Sequence, residues 1–135
     1  MWPKIQIFAV YDGHGGNQCA EYLKEHLHNN IILQPEFPTN VTAAIQRGSQ
    51  MTDKNYLDRV FTEYQATQKM LNCKSGSCCN LVMTYSDDLY IVNVGDSRAI
   101  GSKGHGAVAL DLSEDHKPGE ISEFRRIEAA GGHIY

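Results

Sequence analysis

The residues best suited to chemistry form a glycine-rich segment, YDGHGG, at residues 11–16. It follows a short apolar run at residues 5–11, which predicts a buried strand. Asp12 would then stand at the rim of a sheet, and Gly13 could turn its carbonyl toward the same point. Such oxygens suit magnesium or manganese, and His14 could exchange a proton near neutral pH. An equally simple interpretation is a strand-to-helix turn in which Asp12 only accepts hydrogen bonds from backbone amides.

A second polar turn, NVGDSR at residues 93–98, places Asp96 at another predicted strand end. Asp and Ser are also common turn residues, and Arg98 could pair with a neighbouring carboxylate, so the segment alone is weak support for a site.

A third segment, LSEDHKP at residues 112–118, could be an acid–base cluster. We favour a solvated loop that leads into a helix, with Pro118 near the first turn.

The first half of the chain has the periodicity of helices. One amphipathic helix, with Asn17 as a plausible cap, has its apolar residues at Ala20, Leu23, Leu27 and Ile31. A second helix opens with Val41, Ala44 and Ile45. A third has its apolar residues at Tyr56, Val60, Tyr64 and Leu71, and the boundary between the second and third falls near Gly48 and Thr52.

From residue 80 the period changes to that of strands. Residues 81–85 and 89–94 predict a β-hairpin, and residues 98–100 and 107–112 extend it to a four-stranded antiparallel meander. A last helix begins at about Glu120 and ends at residues 131–132, with Ile121, Phe124 and Ile127 facing inward. Strand, helices, meander and helix in this order predict an α+β fold.

Composition excludes several classes of protein. The 135 residues suffice for one domain, and a net charge of −4 offers no footprint for nucleic acid. No apolar stretch approaches the roughly 18 residues of a membrane span. Without a signal-peptide pattern at the N-terminus, we expect a cytoplasmic or nuclear protein.

The cysteines do not have the spacing of a zinc site. Cys73, Cys78 and Cys79 form C-x4-C-C rather than paired C-x-x-C motifs. We favour buried or half-buried thiols over zinc binding or disulfides.

The three polar segments, taken together, resemble one family. FAVYDGHGG, then SGSCCN followed by LYIVNVGDSRAI, then LSEDHKPGEISEFRRIEAAGGHIY, resemble in order and distance the metal-dependent type 2C serine/threonine protein phosphatases. The resemblance runs from about Ile5 to Tyr135. It implies a four-layer α-β-β-α sandwich, two antiparallel sheets flanked by helices, of which this chain would be an incomplete part.

The resemblance also implies a reaction. Family members hold two Mn²⁺ or Mg²⁺ ions that activate water for attack on phosphoserine and phosphothreonine proteins. Asp12 matches the aspartate that bridges the metals, Gly13 the residue that offers its carbonyl, and His14 the proposed general acid. Asp96 matches an aspartate that in some members helps to hold a third, weaker metal.

The family pattern has parts with no match in residues 1–135. The family places a phosphate-binding arginine and acidic residues before the FAVYDGHGG strand, and two metal-binding aspartates beyond the IEAAGG segment. SGSCCN also departs from the usual SGST-A at Cys78 and Cys79. We therefore expect a partial domain over residues 1–135 with little or no activity alone, and an open sheet face that other subunits could cover. The alternative is a non-catalytic, phosphatase-like docking module.

Overall fold

The computed structural model describes residues 4–68 and 74–134 and has the α+β composition expected from the sequence. In chain order the elements are β1 (Ile5–Val10), β2 (Gly13–His14), α1 (Gln18–Ile32), α2 (Val41–Thr67), β3 (Gly76–Ser77), β4 (Cys79–Tyr85), β5 (Asp88–Val94), β6 (Ile100–Lys103), β7 (Val108–Asp111) and α3 (Ile121–Ala129). They form two compact units. The helix unit is Tyr11–Ser77, and the strand unit combines Met1–Val10 with Cys78–Tyr135.

The helix unit is built on the antiparallel packing of α1 and α2, whose buried residues include Leu27 and Ile31 of α1. Asn17 lies at the cap position of α1 as expected, but its side chain makes no capping bond. Asn40 does cap α2, because its side-chain oxygen accepts a hydrogen bond from the Ala43 amide at 3.1 Å.

The two separate helices expected after residue 41 are one continuous helix, so the boundary near Gly48 was wrong. Gly48 is instead a point of close approach between helices, since a Cβ built there would lie 2.7 Å from Ile31 Cα. Thr52 is fully buried and donates a hydrogen bond to the Gly48 carbonyl at 2.7 Å, while Asn30 donates to its hydroxyl at 2.8 Å. Gly48 and Thr52, whose residue types suggested a helix boundary, therefore serve the contact between α1 and α2. Leu71 lies outside the described residues.

The strand unit contains a three-stranded antiparallel sheet in the order β1-β4-β5. Its register pairs Val10 with Asn80 and Leu81 with Val92, and the predicted β4–β5 hairpin is confirmed. Leu81 and Met83 of the central strand are completely buried. The central strand therefore carries the core of this unit.

The four-stranded meander is wrong, because β6 pairs only with β7 in a separate two-stranded sheet within the described chain. Gly95 has a φ of 106°, a conformation that favours glycine, and it turns the chain out of the sheet directly after β5. The pattern of strand residues was right, but the turn between strands decides which strands can pair.

Two surfaces that the sequence placed inward are exposed. Strand β1 was expected to be buried, yet Phe8 and Val10 are each 64% exposed. In α3, Ile121 is exposed and Glu123 is buried, where it pairs with Arg126. Apolar periodicity marks a face that can be covered, and no described residue covers these faces.

Cys19, Cys78 and Cys79 are thiols rather than halves of disulfides, and Cys73 lies outside the described residues. Burial is the main reason that the pKa of Cys79 is raised to about 11, with Cys78 a smaller contributor.

Among residues 4–68 and 74–134, no helix has both the length and the apolar character to cross a bilayer.

Candidate functional site

Asp12 begins the polar segment of the helix unit, two residues beyond the end of β1. The residue is exposed, and within the described parts of the chain no hydrogen bond or ion pair involves its side chain. The alternative in which Asp12 caps amides of its own turn is therefore not what the structure has. Its two oxygens are left available to a ligand from solution.

His14 is held by a short two-stranded ladder. Gly13 pairs with Ser77, and His14 pairs with Gly76, across β2 and β3. The imidazole lies against Gly76, because a Cβ built on this glycine would stand 2.4 Å from His14 Nε2. The glycine of the SGSCCN segment thus leaves room for the ring of the histidine that the sequence predicted as an acid.

Asp96 lies in the strand unit, in the turn that follows β5. The side-chain amide of Asn93 donates to the Gly95 carbonyl at 3.2 Å and to the Glu114 carbonyl at 2.6 Å. The His116 backbone amide also donates to the Gly95 carbonyl, at 2.9 Å. These bonds fix the backbone of the residue that precedes Asp96.

A buried amide supports this turn from the neighbouring strand. Asn80 is 8% exposed and donates to Asn93 Oδ1 at 2.8 Å and to Ser113 Oγ at 3.3 Å. Ser113 Oγ in turn accepts from the Ala99 amide at 2.8 Å. Sequence reasoning missed Asn80, although an asparagine inside an otherwise apolar strand was a sign of a buried polar network.

The thiol of Cys78 donates a hydrogen bond to Asp96 Oδ1 at 3.3 Å. Sequence reasoning assigned Cys78 no role beyond that of a buried or half-buried thiol. No pattern in one sequence could have joined it to Asp96, because the contact depends on the register of β4 against β5.

The third polar segment is a loop, as favoured, and it binds the arginine of the second. Arg98 Nε donates to Asp115 Oδ1 at 2.8 Å and its Nη2 to Oδ2 at 3.0 Å, while Lys117 Nζ donates to Oδ2 at 2.7 Å. These bonds hold the pKa of Asp115 well below its ordinary value, with Arg98 the largest cause, and raise the pKa of both cations. Arg98 thus pairs with a carboxylate, as expected.

The candidate donors match a hard metal ion in kind but not in number. Asp12, the Gly13 carbonyl and Asp96 offer oxygen, which Mg²⁺ and Mn²⁺ prefer. However, no group of three or more His, Cys, Asp or Glu residues that could hold a metal occurs in the described part of the chain. Neither Asp12 and Gly13 in the helix unit nor Asp96 in the strand unit forms a metal site with other described residues.

Together, the α+β fold and the acidic side chains at strand ends describe a protein with candidate ligands for a hard cation. A family model described as "Protein phosphatase 2C" matches residues 3–135. The chain therefore belongs to the protein phosphatase 2C family.

Similar proteins agree with this assignment. "Probable protein phosphatase 2C 52" of Oryza sativa subsp. japonica is 43% identical over 129 residues, which cover 96% of this chain and 24% of that protein. "Probable protein phosphatase 2C 76" of Arabidopsis thaliana is 41% identical over 130 residues, covering 96% of this chain and 29% of that one. Across the relatives compared, the chain spans 24% to 42% of their length.

Two solved structures share the fold. A C. elegans sex determining protein superposes with a TM-score of 0.72 at 24% identity, over 97% of this chain and 31% of that one. The serine-threonine phosphatase 2C from Toxoplasma gondii superposes with a TM-score of 0.66 at 20% identity, over 94% and 45% of the two chains. At these identities the likeness concerns the fold alone.

Proposed function

We propose that this chain is the segment of a type 2C phosphatase domain that supplies Asp12, Gly13 and His14, with Asp96, to the dephosphorylation of phosphoserine and phosphothreonine proteins. The observation that carries the proposal is the Asp12 carboxylate, exposed at the end of a strand and bonded to no described residue. A carboxylate used only to stabilise a turn would be bonded to that turn. Bound Mn²⁺ or Mg²⁺ would supply the activation of water for attack on phosphorus.

In this proposal each residue has a separate task. Asp12 and the Gly13 carbonyl would help to hold one cation, and Asp96 would help to hold a further, weaker one. His14 gives a proton to the departing serine or threonine oxygen. The contact of its ring with Gly76 restricts where the imidazole can lie, which favours a single direction of proton transfer.

We infer that residues 1–135 alone have little or no phosphatase activity. A divalent cation of this size requires about six oxygen ligands, and the chain offers too few in its described part. We place the remaining ligands and the phosphate-binding arginine in other parts of a longer domain.

A second candidate function is a docking module without catalysis. The exposed apolar side chains of β1, Phe8 and Val10, favour it, because such a surface suits a partner. We propose the cytoplasm or nucleus as the location for either function.

The decisive experiment is a chimera. The segment of the rice relative "Probable protein phosphatase 2C 52" that matches this chain is replaced by residues 3–135, and turnover of a phosphothreonine peptide is measured with manganese. We expect activity, and we expect Asp12→Asn to lower it by about 100-fold or more, since losing a direct ligand costs at least as much as losing an outer one. Asp87→Asn, in the exposed β4–β5 turn, is the matched control and should leave turnover unchanged.

The same assay on residues 1–135 alone should give no turnover above background. Turnover that Asp12→Asn abolishes would refute the inferred inactivity. A chimera that folds and works equally well with Asn at position 12 would refute the proposed role of Asp12, and a folded but inactive chimera would favour the docking module.

A further inference from the structure

We propose that Cys78 is a positioning residue that fixes the Asp96 carboxylate for its ligand role. This inference rests on the function proposed for Asp96. It goes beyond that function because it assigns a task to a side chain that has no metal-binding or acid role of its own.

The inference begins with one contact inside the strand unit. Cys78 directly precedes β4, and its Sγ donates to Asp96 Oδ1 at 3.3 Å. Within the described residues, no other side chain forms a hydrogen bond or ion pair with this carboxylate. The thiol is therefore the described hydrogen-bond donor to Asp96, while Lys117, whose ammonium is bonded to Asp115, acts on Asp96 through its charge.

The packing around the thiol restricts where it can point. Gly95 passes so close that a Cβ built on it would lie 2.4 Å from Cys78 Sγ and 2.8 Å from Cys78 Cβ. The backbone of the turn therefore lies against the side chain of Cys78. A donor held in this way orients its acceptor better than one that rotates freely in water.

The surrounding bonds and the thiol act on different parts of Asp96. Asn93 and His116 bind the carbonyl of Gly95 and so fix the backbone before Asp96. Neither reaches the carboxylate. Cys78 binds Oδ1, and no described side chain is hydrogen-bonded to Oδ2.

The chemistry of position 78 suggests how the contact can be tested. Threonine carries a donor one bond beyond Cβ, as cysteine does, so threonine at this position can keep the hydrogen bond to Asp96 while changing the donor atom. The inference therefore requires a small side chain with a donor at position 78.

The test compares Cys78→Thr with Cys78→Val in the 135-residue chain. Threonine and valine have nearly the same shape and differ in the hydroxyl, so a failure to fold should affect both alike, and circular dichroism checks this. The first readout needs no metal: the carboxyl carbon resonance of Asp96 by NMR. We expect the wild type and Cys78→Thr to retain a fixed carboxylate, and Cys78→Val to give the signal of a freely rotating one.

The second readout is the broadening of Asp96 resonances during a titration with Mn²⁺ alone. We expect Cys78→Val to raise the manganese concentration at half effect by about 10-fold relative to Cys78→Thr, the lower end of the cost of losing a group that orients a ligand. Cys79→Ala is the control, because it removes a neighbouring thiol from the core and not from Asp96.

The possible failures can be told apart. Identical Asp96 carboxyl signals in Cys78→Thr and Cys78→Val would overturn the inference, whatever manganese does. Distinct carboxyl signals, combined with broadening that Asp96→Asn leaves unchanged, would overturn the metal role of Asp96 in the proposed function and leave the hydrogen bond itself supported.

Discussion

At the scale of single residues, the candidate groups differ in their neighbours. His14 has the bare backbone of Gly76 against its ring, Asp96 has the thiol of Cys78, and Asp12 has no described partner. This difference fits the roles proposed for His14 and Asp12, since a proton donor must be oriented while a metal ligand must stay open to solution.

We predict that Gly76→Ala displaces the His14 imidazole. The new methyl group would lie 2.4 Å from Nε2 and 2.9 Å from Cε1 of the ring, too close for both groups to keep their places. Because the ring is exposed at a strand end, it can rotate away without unfolding the unit. NMR should show shifted His14 ring signals in a folded protein, whereas Gly119→Ala, with no atom within 4 Å of the new Cβ, should not move them. Unchanged His14 signals in Gly76→Ala would contradict the contact.

Asp115 should make the stability of the chain depend on acid. Its pKa is lowered in the folded state by Arg98 and Lys117, so its contribution is present above the unfolded pKa of about 4 and is lost as pH falls below that value. We expect the urea midpoint of the wild type to decrease between pH 6 and pH 3, and Asp115→Asn to show a smaller decrease. Asp58→Asn, on an exposed helical pair, is the control. Parallel curves for wild type and Asp115→Asn would exclude this effect.

At the scale of elements, the close contact of α1 and α2 explains why a glycine and a threonine occur inside a helix. Gly48 removes the side chain at the crossing point, and Thr52 satisfies its hydroxyl with Gly48 O and Asn30. Both residues are poor helix formers in isolation. Their use here shows that packing outweighs propensity in α2.

We predict that Gly48→Ala destabilises the helix unit. Its Cβ would meet backbone atoms of Ile31 and Asn30 at 2.7–2.8 Å, and backbone cannot move aside as a flexible side chain can. We expect a net loss of about 1–3 kcal/mol in the free energy of unfolding, despite the helix propensity gained. Gln50→Ala, at an exposed position of the same helix, should change stability by less than about 0.5 kcal/mol. Urea unfolding measures both, and a stabilised Gly48→Ala would disprove the close contact.

At the scale of the whole molecule, the sheet of the strand unit has an apolar edge. Strand β1 lies at the end of the order β1-β4-β5, and Phe8 and Val10 on it are exposed. An edge strand with apolar side chains offers both backbone groups and surface to another chain. The stacked sheets that the family resemblance implies would bury this apolar surface.

This edge predicts self-association of the 135-residue chain. We expect light scattering to show a mass that increases with concentration, and Phe8→Lys to reduce it, because a charged side chain opposes edge-to-edge pairing. Leu57→Lys, at a similarly exposed position of α2, should have a smaller effect, since a helix offers no unpaired edge. A wild-type chain that stays monomeric at high concentration would contradict this prediction.

Local patterns were sufficient to predict the fold class, α1 and the β4–β5 hairpin, because periodicity and short turns act between neighbours. They failed where contacts between residues distant in the sequence determine the structure. The expected helix boundary at Gly48 followed residue types that in fact serve the contact with α1, and the expected meander ignored the turn at Gly95.

The candidate residues were also predictable only in part. Asp12, Gly13, His14 and Asp96 were chosen because polar residues at strand ends are accessible to ligands, and their metal and acid roles remain predictions. The residues that support the site through hydrogen bonds could not be found in this way. Asn80 and Cys78 act across strands, so their partners depend on a register that one sequence does not contain.

The pairing of β1 with β4 has a consequence for the order of assembly. Residues 11–78 lie between the last residue of β1 and the first of β4, so the ladder closes a long loop and must overcome its entropy. On a ribosome, β1 would emerge before β4 and remain unpaired while the intervening helices formed from local contacts. We therefore expect a chaperone to bind most strongly to a nascent chain that is arrested before β4, while β1 is still unpaired.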